Sequence, residues 1–453
     1  MQNNTKARAQ TPCQDALRYA RRTLETKPDI REPAQRDYDR IIYSSAFKRL
    51  VAVTQVVSPA EGHVFHNRLT HSLRVAQVCR RLAQKLLKAD HQKAKAVGGI
   101  NPDVAEAAAV GHDLGHPPFG HVGEQELRNQ VEASPAPVWD GFEGNAQSFR
   151  IVTKLALRSP SVPGLNLTRA TLNAMLKYPW NRQSAGHKGE KYGVYQSEAV
   201  DLRFARKLHA QAGDDRKGPE AELMDWADDI TYAVHDAEDF YRARLIPLDR
   251  LSSSKDDAER KRFFDGMYER PELAKKFGSA PRPQLEEEFL RVITTFPISE
   301  PYGGTRDQRS RLRDFSSFLI GKYVDALTLN APLNKKQPFV TIVPQQKREV
   351  TMLKALTWFY VIYNPALATQ QFAQREIIAK LFQIFLEAAT SHKEERLNIF
   401  PFAFRDEVLD AQWDVKLAKR VVADMISSMG DQELVRLYQR LTGVSRGSVL
   451  DYV

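Results

Sequence analysis

Residues 112–121 read HDLGHPPFGH and contain three of the 11 histidines of the chain. Chance rarely clusters histidines so closely, and a carboxylate, Glu124, follows shortly afterwards. Gly115, Gly120 and the prolines between them interrupt a regular helix, so the three imidazoles can converge instead of spreading around a helical surface. A histidine followed directly by an aspartate also supplies nitrogen and oxygen ligands for a divalent metal ion. The stretch therefore indicates a metal centre.

A metal ion needs further ligands, and two predicted helices can supply them. His71 begins the apolar stripe of a helix predicted from Thr70, its N-cap, to about residue 89. A helix predicted over 219–241 carries eight acidic residues between 220 and 239 and no lysine or arginine. Alone, a histidine on a buried stripe is usually a core residue, and an acidic helix face is usually solvated. Beside the histidine cluster, both favour a metal centre, because a cation relieves the repulsion between like charges.

Helical periodicity dominates the chain, and convincing strand patterns are hard to find. One further helix begins at the Asn101-Pro102 start signal and ends near Asp113. Other helical patterns cover roughly 145–157, 196–211, 284–295, 310–327, 348–363, 372–389 and, with breaks, 405–438. The sequence shows no repeat, low-complexity segment or obvious linker. We therefore expect an all-α protein with one continuous core and a C-terminal helical extension.

The net charge of the chain is +10, and this surplus is unevenly distributed. Residues 1–50 carry +5 and residues 66–95 carry +7, whereas residues 96–453 carry −1. The basic segments suggest an anionic partner, such as a phosphate compound, a nucleic acid or an acidic membrane surface. The alternative interpretation is a solvated basic face.

Length and composition restrict the class of protein. With 453 residues, 42% of them apolar and 27% charged, the chain can bury a full core and is neither collagen-like nor disordered. Its two cysteines, Cys13 and Cys79, cannot form a disulfide framework, which favours a reducing cytoplasm. The N-terminus has no apolar signal region, and the most apolar later stretch, 355–363, is half as long as a bilayer requires. We expect a cytoplasmic protein that does not enter the membrane.

Five blocks of the sequence resemble the HD-domain deoxyguanosine triphosphate triphosphohydrolases and related dNTPases, and they occur in the order typical of that family. The blocks are FKRL at 47–50 with Gln55, HNRLTHS at 66–72, the stretch 112–124, FEGNAQ at 142–147 and ADDITYAVHD at 227–236. The resemblance implies an HD phosphohydrolase core at 45–245. A basic N-terminal segment, 1–44, would pack on this core, and a C-terminal helical region, 246–453, would continue from it. The region beyond 245 contains no comparably sharp motif.

The resemblance also implies a metal site, formed by His71, His112, Asp113 and Asp228. Asp229 competes for the last position, but Asp228 has the spacing of the family to Tyr232 and Asp236. Mg²⁺ or Mn²⁺ is the expected ion. Ni²⁺, Fe²⁺ and Zn²⁺ are alternatives, because two histidines and two aspartates accept all of them.

Members of that family hydrolyse deoxynucleoside triphosphates to deoxynucleoside and tripolyphosphate. The resemblance implies a catalytic set of His121, Glu124 and His116, and a substrate-binding set of Gln55, Asn67, Arg68, Tyr232 and Asp236. In this scheme His116 and Arg68 contact phosphate oxygens, and Gln55 and Asp236 hold the sugar 3′-hydroxyl. His121 can protonate the leaving oxygen if Glu124 shares its helical turn and orients it. An aromatic ring at Tyr232 would exclude a 2′-hydroxyl by its volume.

Two other functions fit parts of the pattern. The metal ligands alone do not select a substrate, so an HD phosphodiesterase or nucleotidase acting on another phosphate ester is one alternative. The other is a nucleotide-sensing or single-stranded nucleic-acid-binding protein with a structural metal site. Its phosphate track would be the basic stripe, which we define as Arg74, Arg81, Lys85 and Lys88.

The resemblance further implies a homo-oligomer, commonly a hexamer. Nucleotide effectors or single-stranded DNA would bind between its subunits. The motifs leave open whether dGTP alone or every dNTP is a substrate, because the residues that contact the base lie outside them.

Overall fold

The computed structural model describes residues 11–25, 28–55, 67–185, 191–208, 215–253, 257–332, 334 and 337–444. Within these ranges the chain is helical, apart from its loops and one two-stranded antiparallel sheet. The all-α prediction is therefore confirmed. Among the described helices, none combines the length and the apolar character that a membrane span requires.

Twelve helices lie in the first half of the described chain. They are α1 (Thr11–Arg18), α2 (Pro33–Tyr43), α3 (Ser45–Arg49), α4 (Arg68–Ala89), α5 (His91–Ala96), α6 (Pro102–Gly111), α7 (His121–Glu132), α8 (Gly144–Arg150), α9 (Arg169–Ala174), α10 (Arg182–Ala185), α11 (Ala199–Arg206) and α12 (Pro219–Arg242). A π-helical turn, Ile151–Leu155, continues α8 to nearly the predicted end at 157. The predicted end of another helix, residue 211, lies outside the described residues.

The second half of the described chain contains ten helices and both strands. The helices are α13 (Leu248–Ser252), α14 (Ala258–Tyr268), α15 (Pro271–Ala274), α16 (Arg282–Ile293), α17 (Arg306–Val324), α18 (Pro344–Thr357), α19 (Pro365–Ala389), α20 (Phe402–Asp410), α21 (Val415–Ser427) and α22 (Asp431–Leu441). Strands β1 (Leu327–Leu329) and β2 (Val340–Ile342) pair with Leu327 opposite Ile342. A second π-helical turn, Trp358–Ile362, follows α18.

Helices α4, α6 and α12 pack against one another in the N-terminal half. The apolar stripe predicted for α4 is buried, from Val75 to Leu86. The N-cap predicted at Thr70 is wrong, because the side-chain oxygen of Asn67 accepts the Thr70 N–H at 2.9 Å and α4 begins at Arg68. Asparagine is among the best N-cap residues, since its oxygen satisfies an N–H that has no partner in the helix.

Cations from other parts of the chain neutralise much of the acidic face of α12. Arg18 pairs with Glu220, Lys177 and Lys217 pair with Asp225, and Lys354 pairs with Asp229. A metal ion is therefore not the sole source of positive charge that neutralises this acidic face. The opposite, apolar face is buried as predicted, at Leu223, Trp226, Ile230, Val234, Ala237 and Tyr241.

The described apolar side chains form two large buried clusters instead of the one continuous core that we expected. The first cluster includes side chains of α2, α4, α6, α12 and α16 to α18. The second joins α7 to α19, α21 and α22, because Leu127 and Val131 of α7 face the C-terminal helices. Polar contacts connect the two regions: Asp424 of α21 accepts hydrogen bonds from Gln147 and Arg150. The domain boundaries predicted at 44/45 and 245/246 stay predictions.

Many basic side chains of the N-terminal segment form ion pairs with acidic side chains of the same chain. Arg21 pairs with Asp37, Arg22 pairs with Asp201, and Arg36 and Arg40 both pair with Glu25. Three of these pairs lie within the segment, whereas Arg22, like Arg18 with Glu220, binds an acidic residue of the core. Because these two arginines are compensated from outside the segment, the surplus of residues 1–50 is weaker evidence for an external anionic partner than it was from the sequence.

Glu25 provides a test of these ion pairs. Partial burial would raise its pKa, but hydrogen bonds from Arg40 and Asn166 outweigh this and lower the pKa to about 2. Such a carboxyl group stabilises the fold above its unfolded pKa, near 4.5, and loses this contribution as the pH falls towards 2. We expect Glu25→Gln to lower the free energy of unfolding by about 1–3 kcal/mol at pH 7. Urea denaturation should show this difference shrinking below pH 4.5.

The control for this test is Asp307→Asn, which breaks an exposed pair with Arg311 and should change stability little. A loss in Glu25→Gln that stayed constant from pH 7 to about pH 2.5 would contradict the assignment.

Candidate active site

A cavity of about 320 Å³ lies where the stretch 112–122, α12 and the second π-helical turn meet. Its size is within the range of small-molecule sites. Of the predicted site residues, the cavity is lined by Gln55, Arg68, His112, Asp113, His116, His121, Asp228 and Tyr232. The structure therefore brings together most of a set that spans more than 170 positions in the sequence.

Close packing of α8 holds the loop after α6 in its irregular shape. A Cβ atom on Gly115 would lie 2.2 Å from the Ser148 nitrogen, so only glycine fits there. The hydroxyl of Ser148 accepts the Gly115 N–H and donates to the carbonyl of His112, each at 2.8 Å. The block 142–147, which begins α8, is thus a structural support for the histidine stretch, as the sequence suggested.

The four predicted metal ligands converge at one place. The Nε2 atom of His71 lies 3.1 Å from Oδ1 of Asp228. The Nε2 atom of His112 lies 3.6 Å from the same oxygen and 3.3 Å from Oδ1 of Asp113. Asp229 instead pairs with Lys354, so the preference for Asp228 agrees with the structure.

The orientation of His112 suits a metal ligand. Its Nδ1 atom donates to the Ala109 carbonyl at 2.6 Å, which leaves the Nε2 lone pair directed at the carboxylates. This Nε2 atom is buried and has no hydrogen-bond partner among the described residues. Burial lowers the pKa of His112, but the charges of Asp113 and Asp228 prevail and raise it to about 9. The site thus attracts a cation to this nitrogen, and its two imidazoles and two carboxylates fit a divalent metal ion.

Both aspartates remain charged in spite of their burial. Burial would raise the pKa of Asp113, but His112, His116 and Arg68 hold it well below its usual range. Lys177 has the same effect on the pKa of Asp228, with its Nζ atom 3.0 Å from Oδ2. Anionic oxygens are therefore available at the centre at neutral pH.

Arg68 is almost completely buried beside this centre. Its Nη1 atom donates to Oδ2 of Asp113 at 2.7 Å, and its Nε atom donates to the Thr54 carbonyl at 3.1 Å. The guanidinium thus orients one predicted ligand while it also lines the cavity. Its predicted contact with phosphate stays a prediction.

His121 and Glu124 form the pair that the sequence anticipated. His121 begins α7, and its Nδ1 atom lies 2.9 Å from Oε2 of Glu124 in the same helical turn. The other oxygen of Glu124 accepts from Lys191 at 2.9 Å and from the Gly144 N–H at 3.2 Å. Burial would raise the pKa of Glu124, but His121 and Lys191 hold it well below its usual range. The His121 side chain is 69% exposed and is therefore accessible to a substrate.

His116 differs from its neighbours because it is neutral at physiological pH. Burial and the nearby Arg68 lower its pKa to about 4, although Asp113 opposes this. Its Nδ1 atom lies 3.1 Å from Oδ1 of Asp113, and its ring centre lies 5.5 Å from that of His121. His116 can therefore offer a hydrogen bond, but not a positive charge, to a ligand.

The predicted sugar-binding residues contain unpaired polar atoms. Gln55 and Tyr232 line the cavity, and Asp236 is buried one helical turn after Tyr232. Oε1 of Gln55 and Oδ2 of Asp236 are buried and have no hydrogen-bond partner within the described ranges. Buried polar atoms of this kind usually have a partner, so a ligand hydroxyl would complete them.

Two predicted substrate contacts, Asn67 and Asp236, are not among the residues that line the cavity. The side-chain oxygen of Asn67 instead caps α4 through Thr70. Its role toward substrate stays a prediction. His66, the first residue of the same block, lies outside the described residues.

The sequence missed several cavity residues. Three are lysines that pair with site carboxylates: Lys177, Lys191 and Lys354. Others form an apolar wall, which we define as Trp358, Ile362 and Leu367, with Gln371 beside it. Lys177 and Lys191 lie in stretches without a helical or motif signal, and Lys354 lies in the helix predicted over 348–363, which carried no sign of a site. Two residues of the wall, Trp358 and Ile362, belong to the second π-helical turn. In the sequence, only the apolar run at 355–363 indicated this wall.

Comparison with known proteins gives matches along most of the chain. The HD domain family matches residues 68–233, and the phosphohydrolase-associated domain matches residues 340–440. A deoxyguanosinetriphosphate triphosphohydrolase-like protein of Corynebacterium efficiens is 35% identical over 445 residues, which cover 94% of this chain and 95% of that protein. Proteins of the same name from Streptomyces coelicolor and Wolinella succinogenes are 36% and 31% identical. Their matches cover 90% and 91% of this chain and 92% and 96% of those proteins, respectively.

Proposed function

Because this chain belongs to the family of HD-domain deoxyguanosinetriphosphate triphosphohydrolase-like proteins, we propose that its substrates are deoxynucleoside triphosphates. Membership makes the protein a metal-dependent phosphohydrolase. The proposed products are a deoxynucleoside and tripolyphosphate. The observation that supports this proposal best is that one cavity is lined by three of the predicted metal ligands, His112, Asp113 and Asp228, together with His121, which pairs with Glu124, and Gln55, whose side-chain oxygen is unpaired.

His71, His112, Asp113 and Asp228 would hold the metal, and we propose Mg²⁺ or Mn²⁺. The buried, unpaired Nε2 atom of His112 and the charged oxygens around it fit such an ion. When bound, a divalent ion polarises a phosphoryl oxygen or lowers the pKa of a water molecule.

The cationic side chains of the cavity fit a triphosphate. Arg68, Lys177 and Lys191 lie on the side of the metal ligands, where each already pairs with a carboxylate. Fixed cations in a partly buried site stabilise phosphate charge without reorganisation during the reaction. The neutral His116 can add a hydrogen bond to a phosphate oxygen.

His121 would serve as the general acid. Glu124 accepts a hydrogen bond from the Nδ1–H group of His121. The Nε2 atom is therefore the position from which a proton can pass to the leaving 5′-oxygen of the deoxynucleoside. The carboxylate of Glu124 stabilises the imidazolium before transfer, and Lys191 and the Gly144 N–H hold that carboxylate in place. Transfer leaves a neutral His121 and an uncharged 5′-hydroxyl on the product.

The two ends of the cavity also match the two ends of a nucleotide. With the phosphates on the cationic side, the sugar would lie near Gln55 and Tyr232, and the base would lie against the apolar wall around Trp358. The Lys276 ammonium lies over one face of Trp358, with Nζ 4.6 Å from the ring centre, so a base would contact the rest of this wall, and the Gln371 amide can both donate and accept hydrogen bonds at its edge.

Tyr232 provides a test of sugar selection. Lys354 lies over its ring, with Nζ 5.5 Å from the ring centre, which helps to fix the ring in the cavity. We expect Tyr232→Ala to reduce the preference for dGTP over GTP by about tenfold or more, because space for a 2′-hydroxyl is created. Tyr232→Phe keeps the ring and should keep the preference. The ratio of kcat/KM for the two nucleotides measures this, and an unchanged ratio in an active Tyr232→Ala enzyme would refute the role.

Product analysis tests the proposed reaction itself. The purified protein should release tripolyphosphate from at least one of the four dNTPs when Mg²⁺ or Mn²⁺ is present. Orthophosphate or pyrophosphate as the sole inorganic product would instead favour the phosphodiesterase or nucleotidase alternative. Chelation of the metal should stop the reaction, and its return should restore it.

The basic stripe supports the nucleic-acid-binding alternative less strongly in the structure than it did in the sequence. Arg74 is largely buried near Asp239 and Glu238, and Lys85 pairs with Asp325 at 2.9 Å. Arg81 and Lys88 are the exposed members. Two exposed charges form a weak phosphate track, so a dNTP is the better proposal for the anionic partner. The hexamer and the nucleotide or single-stranded DNA effectors stay predictions from the family.

A further inference from the structure

Asp431, the first residue of α22, connects two segments at the edge of the active-site cavity. It is 6% exposed and lies 312 positions after Phe119 in the chain. One carboxylate oxygen accepts the Phe119 N–H at 2.9 Å. The other accepts the Thr54 N–H at 3.0 Å and also the Thr54 hydroxyl. A single C-terminal side chain thus binds two distant segments.

Each of these segments carries residues of the proposed mechanism. Phe119 lies two positions before His121, and Thr54 directly precedes Gln55. The Thr54 carbonyl also accepts a hydrogen bond from Arg68. The segments touch each other closely, because a Cβ atom on Gly120 would lie 3.5 Å from the Thr54 carbonyl oxygen.

The backbone before His121 is in a conformation that needs support. Phe119 has a φ of +64° and Gly120 has a φ of +60°. This region is open to glycine but strained for a bulky residue such as phenylalanine, so it persists only where neighbouring groups fix it. The hydrogen bond from the Phe119 N–H to Asp431 is such a restraint.

Arg49 holds the preceding part of the same loop. Its guanidinium donates to the carbonyls of Leu114 and His116, at 2.7 and 2.8 Å. It also donates to the Met429 carbonyl at 3.1 Å, two residues before Asp431. The C-terminal helices are therefore attached at two neighbouring points to the loop that carries the histidines.

We infer that Asp431 is a positioning residue, which sets the place of His121 relative to Gln55 and Arg68 by fixing Phe119 and Thr54. This inference rests on the proposed function, because the roles of His121 and Gln55 come from it. It gives the C-terminal region a part in turnover that no motif beyond residue 245 indicated.

Two substitutions at this position test the inference. We expect Asp431→Ala to lower kcat by about 100-fold, since an ångström-scale displacement of a catalytic group has an effect of this size. Asp431→Asn should have an intermediate effect, because its one oxygen can serve Phe119 while its amide cannot accept from Thr54. Metal content should stay unchanged in both variants.

Asp37→Asn is the matched control. Asp37 is also a buried carboxylate, and it likewise accepts the N–H and the hydroxyl of one threonine, Thr168, but its other partner is Arg21 and not a residue of either segment. The control variant should denature at a lower temperature than the wild type. At temperatures where it is folded, it should have the kcat of the wild type. If the control variant loses as much kcat as Asp431→Asn, the role of Asp431 is purely structural and the inference is overturned.

Hydrogen exchange supplies a readout that does not need turnover. Peptides covering 50–55 and 115–124 should exchange faster in Asp431→Asn than in the wild type, and at the wild-type rate in Asp37→Asn. If the wild type hydrolyses no dNTP, the proposed function fails while exchange still decides whether Asp431 fixes the segments. If the wild type is active and Asp431→Asn keeps both its kcat and its exchange rates, the positioning role is refuted. Should Asp431→Ala not fold, Asp431→Asn decides alone.

Discussion

Replacing His112 with alanine should remove most of the bound metal and lower dNTP turnover by at least about 10³-fold. A divalent ion supplies several kcal/mol to a phosphoryl transition state, and about 1.4 kcal/mol corresponds to a factor of ten in rate. His112 is central to the site, since its Nε2 atom lies within 3.6 Å of oxygens from both Asp113 and Asp228. Its loss also removes one of the positively charged groups beside two buried carboxylates, so this variant should be less stable as well.

Metal content per chain, measured by mass spectrometry after dialysis, tests this expectation alongside turnover. His91→Ala is a suitable control, because His91 is an exposed histidine at the start of α5. The control should keep both metal and activity. Full metal content and normal turnover in a folded His112→Ala protein would contradict the ligand assignment.

Replacing His121 with alanine should lower kcat by about 10²–10⁴-fold, which is the usual contribution of a general acid. The metal should stay bound, because His121 pairs with Glu124 and lies outside the cluster of His71, His112 and Asp228. The loss should fall mainly on kcat, since proton transfer to the leaving oxygen occurs in the transition state. This separation of metal content from turnover distinguishes His121 from His112.

Glu124→Gln refines the test. A glutamine can keep one hydrogen bond to His121 but cannot stabilise the imidazolium by charge, so we expect a smaller loss than in His121→Ala. Single-turnover measurements at saturating dNTP would compare the two variants at the chemical step. Normal single-turnover rates in His121→Ala would exclude this residue as the proton donor.

The predicted metal-ligand set could be proposed from the sequence because much of its signal is local and chemical, although the choice of Asp228 over Asp229 came from the spacing of the family. An adjacent histidine and aspartate, a histidine at the end of an apolar stripe and an aspartate on an acidic helix are visible without coordinates. The helices that carry them were predictable for the same reason, since α4 and α12 bury the stripes that their 3.6-residue periodicity showed. The geometry of His121 and Glu124 followed from their spacing.

Other features could not be predicted because they depend on contacts between distant segments. Lys177 and Lys191 carry no motif, and only folding places them beside Asp228 and Glu124. The two π-helical turns were also not predicted from the sequence. A turn of this kind continues the helical pattern, although it rotates the residues that follow it about the helix axis. The strands β1 and β2 are three residues long, too short for an alternating pattern to be recognised.

The division of the apolar interior has a consequence for the geometry of the site. His71 lies on α4, whose stripe belongs to the first cluster, whereas His121 lies on α7, whose apolar side belongs to the second. The predicted proton donor and one predicted metal ligand are therefore carried by helices that pack into different apolar clusters. The distance between them thus depends on the polar contacts that join the two regions, such as those of Asp424 and Asp431, more than on apolar packing.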